Sequence, residues 1–299
     1  MTSKTQYLNK FGLLKAAPKF LDTCVQYEVV MGSIAYGVSH DDSDMDIYGF
    51  AIPPRDQIFP HLQGYIQGFD DEFKPFTQFQ QHHIWDAQAL SGKGREYDLT
   101  IYSIVKYFRL LANCNPNIID SLFVPRHCVV YSTALGELVR ENRHLFLHKG
   151  CWPTFKGYAY AQMHKMRTKV PEGKRTKLVE EFGYDVKFAY HVVRLLNEVE
   201  QIMAEKTIDL ARNAEQLKAI RRGDWEQQQV EAYFFEKEKQ LEQLYLQSDL
   251  PATADTGAIK ELLLNCLEQH YGSLENCIVS PEKNQKALRD IQKILDGLN

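Results

Sequence analysis

The sequence contains no run of about 20 apolar residues, the length that a membrane-spanning helix needs. Its N-terminal segment has no apolar core followed by a small-residue cleavage site, so we expect no secretory signal, no membrane association and a cytoplasmic protein. The six cysteines include no C-x-x-C pair, which argues against a disulfide framework and a structural zinc site. We therefore expect them to be buried small residues or inert thiols.

The sequence also has no excess of basic residues, because 35 Lys and Arg stand against 39 Asp and Glu, with a formal net charge of −4. A protein that coats nucleic acid is usually basic overall. The balance argues against a general nucleic-acid-binding module and leaves room for a local basic groove. The length of 299 residues fits one large or two ordinary domains.

Periodicity divides the chain into two halves. Strand patterns with period two occur at 27–31, 45–52 and 97–102, and a helical pattern follows at 104–113. The polar, aromatic stretch 55–96 is predicted to be a hairpin or flap outside the core. Helical patterns follow at 152–169, 177–203, 209–222, from a cap at Asp224 to about 247, 258–270 and 281–295. The predicted fold is α+β, with a small mixed-sheet domain at 1–148 and an α-helical domain at 149–299.

The most informative stretch is 31–50, in which a strand, Gly32-Ser33, a polar loop and Asp44-x-Asp46 follow one another. Gly32 would let the backbone approach a phosphate closely, and Ser33 offers a hydroxyl and an N–H at a helix start. Asp44 and Asp46 share one face of a strand, so two carboxylates converge on one cation position. Mg²⁺ prefers such oxygen ligands, and two ions suit an in-line phosphoryl displacement.

The acidic stretch has two other possible interpretations. An Asp-rich surface turn is the ordinary one, but it does not account for the Gly-Ser pair at one strand end and the Asp pair at the next strand start. A calcium loop fails, because positions six and twelve counted from Asp42 are Ile47 and Pro53. The adjacent His82 and His83 are not assigned as metal ligands, since neighbouring side chains diverge.

The pattern G-S, ten residues, D-x-D resembles the signature of DNA-polymerase-β-type nucleotidyltransferases. That resemblance implies a third carboxylate on a later strand, for which Asp98 is favoured and Glu96, on the same face, is the alternative. Residues 113–123, 155–165, 182–196 and 220–226 further resemble the RlaP family, predicted nucleotidyltransferases associated with RNA ligases. The resemblance spans roughly 25–240. Asp120 stands where the family segment would have Glu, which keeps an acid and alters its reach.

A basic stripe is predicted on one helix of the second half. Lys187, His191 and Arg194 fall at i, i+4 and i+7, and Tyr184 extends that face. We expect these four residues to bind the nucleotide or the acceptor, because cations would neutralise a triphosphate whose metal ions the carboxylates hold. A solvated helix face is the alternative. A second basic region could hold an RNA end or form a solvated loop, and the sequence leaves both open; it comprises Lys165, Arg167, Lys169, Lys174, Arg175 and Lys177.

These patterns lead to the expectation of an enzyme that moves a nucleoside monophosphate from an NTP, with ATP expected, to an acceptor hydroxyl and releases pyrophosphate. The expected cofactor is Mg²⁺, two ions, with Mn²⁺ as an alternative. The resemblance implies an RNA end, tRNA-like, as the acceptor, and a functional association with an RNA ligase. Nucleotide transfer to a protein side chain or a small molecule, and a non-catalytic, antitoxin-like nucleotide-binding protein, stay open as alternatives.

Overall fold

The computed structural model describes residues 2–39, 44–66, 73–277 and 281–296. Its strands are β1 (Val25–Val30), β2 (Met45–Ala51), β3 (Gln78–Asp86), β4 (Arg95–Ser103) and β5 (Val129–Ser132). Its helices are α1 (Lys4–Lys10), α2 (Leu21–Cys24), α3 (Arg55–Ile58), α4 (Ala89–Gly92), α5 (Ile104–Ala112), α6 (Pro116–Phe123), α7 (Ala134–Glu141), α8 (Cys151–Thr168), α9 (Lys174–Phe182), α10 (Val186–Glu205), α11 (Ala214–Arg221), α12 (Gln227–Gln247), α13 (Thr256–Tyr271) and α14 (Pro281–Asp296).

The strands form one mixed sheet in the order β3-β4-β2-β1-β5. β2 and β4 are parallel neighbours, and the other adjacent pairs are antiparallel. The three predicted strand segments are confirmed as β1, β2 and β4. The stretch 55–96 does contribute a hairpin strand, β3, but β3 extends the sheet as an edge strand next to β4, so its expected place outside the core was wrong.

Helices cover both faces of the sheet. On one face lies α5, which is capped by Ser103: the Ser103 side chain accepts a hydrogen bond from the backbone N–H of Lys106. The apolar side of α5 is buried. This face continues without interruption into α8 and α10, so the two halves of the chain share one apolar core. On the other face α1 and α2 close a smaller core over β2 and β4. The division at residue 148 stays a prediction.

Two helix predictions in the second half were wrong in detail. The single helix expected at 177–203 is two, α9 and α10, because Gly183 adopts a left-handed backbone (φ 80°) and Asp185 caps the new helix. The cap of α12 is Glu226 rather than Asp224, since Glu226 and Gln229 form a reciprocal capping box. The helix predicted at 209–222 begins five residues later, at Ala214, and the remaining helix predictions agree with the structure to within a few residues.

The six cysteines are buried and unpaired by disulfides, which confirms the expectation of burial. Across the described ranges, no helix combines the length and the apolar character required to cross a bilayer.

Candidate active site

Two carboxylates meet where the parallel strands lie side by side. Asp46 of β2 and Asp98 of β4 are direct partners in the register. Register partners on neighbouring strands project to the same face of a sheet, so the side chains of Asp46 and Asp98 lie next to each other on one face. Asp44 immediately precedes β2, two residues before Asp46 and therefore on its face, and it is exposed. Positions 40–43 of the acidic loop lie outside the described residues.

The negative charges of Asp44, Asp46 and Asp98 repel one another. Burial raises the pKa of Asp46, and the neighbouring charge of Asp98 raises it further. Lys187 acts in the opposite direction, and Asp44 adds to the repulsion. Three carboxylates with this much mutual repulsion match the oxygen-only donor set that Mg²⁺ prefers. Asp44, Asp46 and Asp98 thus have the donor chemistry for a divalent cation, although the group whose ligand atoms lie within 4.8 Å of one another in the described part of the chain is His83, Glu96 and Asp98.

The Gly32-Ser33 turn lies directly against Asp46. Gly32 has a left-handed backbone (φ +67°), and a Cβ placed on it would overlap the Asp46 carboxylate. The backbone N–H of Met31 also donates to the Asp46 carbonyl at 2.7 Å. The sequence interpretation assigned Gly32 to phosphate approach. The structure gives a nearer reason for glycine, namely room for a carboxylate, and it leaves Ser33 partly exposed beside it.

The two candidates for the third carboxylate have different neighbours. Asp98 faces Asp46 across the parallel pair, whereas Glu96 lies one pleat earlier and contacts His83 on β3. Asp98 in turn accepts a hydrogen bond from the backbone N–H of His83 at 2.8 Å and lies 3.2 Å from Nδ1 of His82. The preference for Asp98 as the third carboxylate stays a prediction.

The two histidines reach Asp98 because β3 is irregular. The register with β4 shifts between Gln81 and Ile84, and His83 takes a left-handed backbone with φ 55°. The sequence interpretation missed this contact, since the alternation of a regular strand would have sent the two side chains to opposite faces. Ligand atoms of His83, Glu96 and Asp98 lie within 4.8 Å of one another. The hydrogen bond to Glu96 raises the pKa of His83.

The predicted stripe on α10 separates into an exposed and a buried part. Lys187 is exposed at the helix start, and its charge reaches Asp46. His191, one turn later, is partly exposed, and burial together with the nearby Arg194 and Lys187 holds its pKa well below the ordinary value. Tyr184 is buried, and its hydroxyl donates to the carbonyl of Trp225 at 2.6 Å, where it joins the starts of α10 and α12.

Arg194 lies beneath the site in a buried charge cluster. Its Nη1 donates to the Tyr36 hydroxyl at 2.7 Å and to Glu198 at 3.0 Å, and it also pairs with Asp120. Burial raises the pKa of both carboxyls, and the Arg194 charge opposes that shift. The Tyr36 hydroxyl also donates to Asp120 at 2.9 Å. Only 4% of Arg194 is exposed, so a direct bond to a triphosphate conflicts with its position.

The mixed sheet with helices on both faces is consistent with a polymerase-β-type domain. Residues 13–265 match the family model for RlaP, the RNA repair pathway DNA polymerase beta family. The chain therefore belongs to this family, and the match extends past the predicted 25–240 at both ends. A comparison with curated proteins gave no match.

Proposed function

We propose that the protein is a metal-dependent nucleotidyltransferase that transfers a nucleoside monophosphate from an NTP to a hydroxyl at an RNA end. The observation that carries the proposal is the convergence of Asp46 and Asp98 on neighbouring parallel strands, with Lys187 within electrostatic reach. Membership of an RNA repair family supports RNA as the acceptor. ATP is the expected nucleotide.

Each residue has a defined part in the proposed reaction. The acceptor oxygen forms a bond to the α-phosphorus of the NTP, the bond from that phosphorus to the bridging oxygen breaks, and pyrophosphate leaves. Asp44, Asp46 and Asp98 would hold two Mg²⁺ ions, which when bound neutralise charge on the phosphoryl oxygens. Asp98 helps to accept the hydroxyl proton, and Lys187 neutralises the triphosphate.

We expect the catalytic gain to come mainly from positioning and charge neutralisation. The in-register strands fix the separation of Asp46 and Asp98. The Gly32 turn is held next to Asp46 by the hydrogen bond from the Met31 N–H to the Asp46 carbonyl.

The test is to incubate the purified protein with each α-labelled NTP and Mg²⁺ in the presence of total RNA, protein or metabolite fractions. We expect label in the RNA fraction, strongest with ATP, and none with the Asp46→Asn variant. Label in protein or in small molecules would transfer the proposal to those acceptors. Nucleotide binding without label in any fraction would support the non-catalytic alternative.

A further inference from the structure

A cavity of about 450 Å³ lies beside the candidate active site, between the end of α8, the helix α9 and the start of α10. Lys187, whose charge reaches Asp46, is part of its wall, so the cavity and the carboxylates are neighbours. The charged residues that line it are Lys169, Glu172, Arg175, Asp185, Lys187 and Arg221. Four of them are cations and two are acids.

The excess of two positive charges in this cavity is carried by cations that have no acidic partner in the described part of the chain. Asp185 pairs with Arg175 at 2.9 Å and also accepts hydrogen bonds from two backbone N–H groups at the start of α10. Lys169, Lys187 and Arg221 have no carboxylate within 4 Å among the described side chains. By contrast, Arg167 on the same helix end binds Glu231 with two nitrogens. Cations that lack a carboxylate partner suit an anionic ligand.

Two of the cations are held in place by neutral contacts. The Arg175 guanidinium stacks on the Phe188 ring at 4.2 Å. Arg221 donates to the carbonyl of Val38 at 2.7 Å, and the N–H of Val38 donates to the carbonyl of Ser33 at 2.9 Å. Through Val38, one wall of the cavity is bonded to the end of the Gly32-Ser33 turn. A preorganised guanidinium loses little entropy when it binds a phosphate.

The pKa of a neighbouring histidine is lowered by the same positive charges. Besides burial, the charges of Arg194, Lys187, Arg175 and Arg221 lower the pKa of His191, which lies on the α10 face between the cavity and the buried cluster. A neutral imidazole here adds no charge of its own and avoids repulsion with the surrounding cations.

We propose that this cavity is a phosphate subsite of the active site, in which Lys169, Arg175 and Arg221 bind a phosphate group of a substrate next to Lys187. The group is either the tail of the NTP or a terminal phosphate on the acceptor RNA. The choice of substrates rests on the proposed function, whereas phosphate binding itself does not. Lys169 and Arg175 also belong to the second basic region of the sequence, so the subsite gives part of that region a role.

The experiment compares Lys169→Glu with Lys165→Glu. Both lysines are exposed at the end of α8, one turn apart, but only Lys169 lines the cavity. Binding of tripolyphosphate, of ATP and of short RNAs with a 5′-phosphate, a 3′-phosphate or only hydroxyl ends is measured at about 0.15 M salt. The buffer contains EDTA, and every variant carries Asp46→Asn and Asp98→Asn, so the carboxylate site does not contribute.

We expect Lys169→Glu to weaken binding of phosphate-bearing probes by about tenfold or more, in the range of a charge-assisted hydrogen bond, and Lys165→Glu to change it little. Weaker binding of tripolyphosphate and ATP assigns the subsite to the nucleotide. A loss confined to phosphate-ended RNA assigns it to the acceptor. Arg175→Gln is a second variant that should act in the same direction.

Two results would overturn the subsite: equal effects of both lysine variants on all probes, or no effect of Lys169→Glu on any. Failure of the proposed function gives a different pattern. In that case the labelling assay yields no transfer, while at least one phosphate-bearing probe still distinguishes Lys169→Glu from Lys165→Glu.

Discussion

The carboxylate of Asp46 occupies the space into which a side chain at Gly32 would project. The strand end and the aspartate are therefore fitted to each other, and the glycine of the Gly-Ser pair is required before any substrate binds. This relationship also explains why the turn and the Asp-x-Asp pair occur together in the sequence: one provides the space that the other fills.

Gly32→Ala should impair transfer by displacing Asp46 rather than by blocking the nucleotide. We expect about a hundredfold loss of kcat/KM, equivalent to roughly 3 kcal/mol of transition-state stabilisation, and a higher Mg²⁺ requirement. The control is Gly12→Ala, which has nearly the same φ (+68°) and nothing within 4 Å of the added Cβ. Gly12→Ala should lose only about 1–2 kcal/mol of stability and keep its activity. Equal loss of activity in both variants would contradict the role of the Asp46 contact.

Asp46→Asn should stabilise the metal-free protein at neutral pH while abolishing transfer. The folded-state pKa of Asp46 is raised, so its favourable contribution to stability is complete below the unfolded pKa and is lost as the pH rises through the folded pKa. Removal of the charge relieves this loss. Thermal melts in EDTA from pH 4 to 8 should show a difference in Tm between variant and wild type that grows with pH.

Mg²⁺ provides the complementary arm of that measurement. It should raise the Tm of the wild type, because it binds only the folded carboxylate cluster, and should raise that of Asp46→Asn much less. Asp249→Asn is a suitable control, since this exposed aspartate pairs with Lys206 on the surface. A wild type that is as stable as Asp46→Asn in EDTA at every pH would contradict the predicted repulsion.

Asp98→Asn and Glu96→Gln test which residue is the third carboxylate. Asp98 is the register partner of Asp46, so its neutralisation should reduce kcat by about a hundredfold or more. Glu96 contacts His83, and its neutralisation should cost less than about tenfold. The rates are measured in the labelling assay at saturating Mg²⁺. If Glu96→Gln is the more damaging change, the roles are reversed.

The sheet and its aspartates could be predicted because the information is local. A period of two places Asp44 and Asp46 on one face, and the alternation of 97–102 indicated the strand that carries Asp98. The register that sets Asp98 beside Asp46 was not readable from the sequence, but two neighbouring strands with acidic residues near one end leave few arrangements.

The histidines and the buried arginine could not be placed in this way. His82 and His83 reach Asp98 through an irregularity in β3 that depends on pairing with a distant strand. The helical period placed Arg194 on the same helix face as Lys187, but it could not identify the residues that bury Arg194. Its partners Asp120 and Tyr36 are 74 and 158 residues away in sequence. Long-range contacts of this kind decide whether a cation is a ligand or part of the core.

Lys187 and Arg194 should therefore differ in kind when replaced. Lys187→Ala removes an exposed cation near Asp46, so we expect the free energy of unfolding to change by less than about 0.5 kcal/mol. The KM for the NTP should rise, or transfer should slow, by roughly one to two powers of ten, equivalent to about 1.5–3 kcal/mol of a charge-assisted hydrogen bond. Urea denaturation and initial rates on the same preparations give both quantities.

Arg194→Met should instead cost about 3–5 kcal/mol of stability, because it leaves Asp120 and Glu198 buried without their cation. Glu198→Gln is the matched control: one cation faces two carboxyls, so neutralising one of them still leaves Arg194 paired with Asp120. That variant should be far more stable than Arg194→Met. If Arg194→Met folded with wild-type stability and only the KM for the NTP rose, the arginine would have to reach the nucleotide. The buried cluster would then have to open when substrate binds.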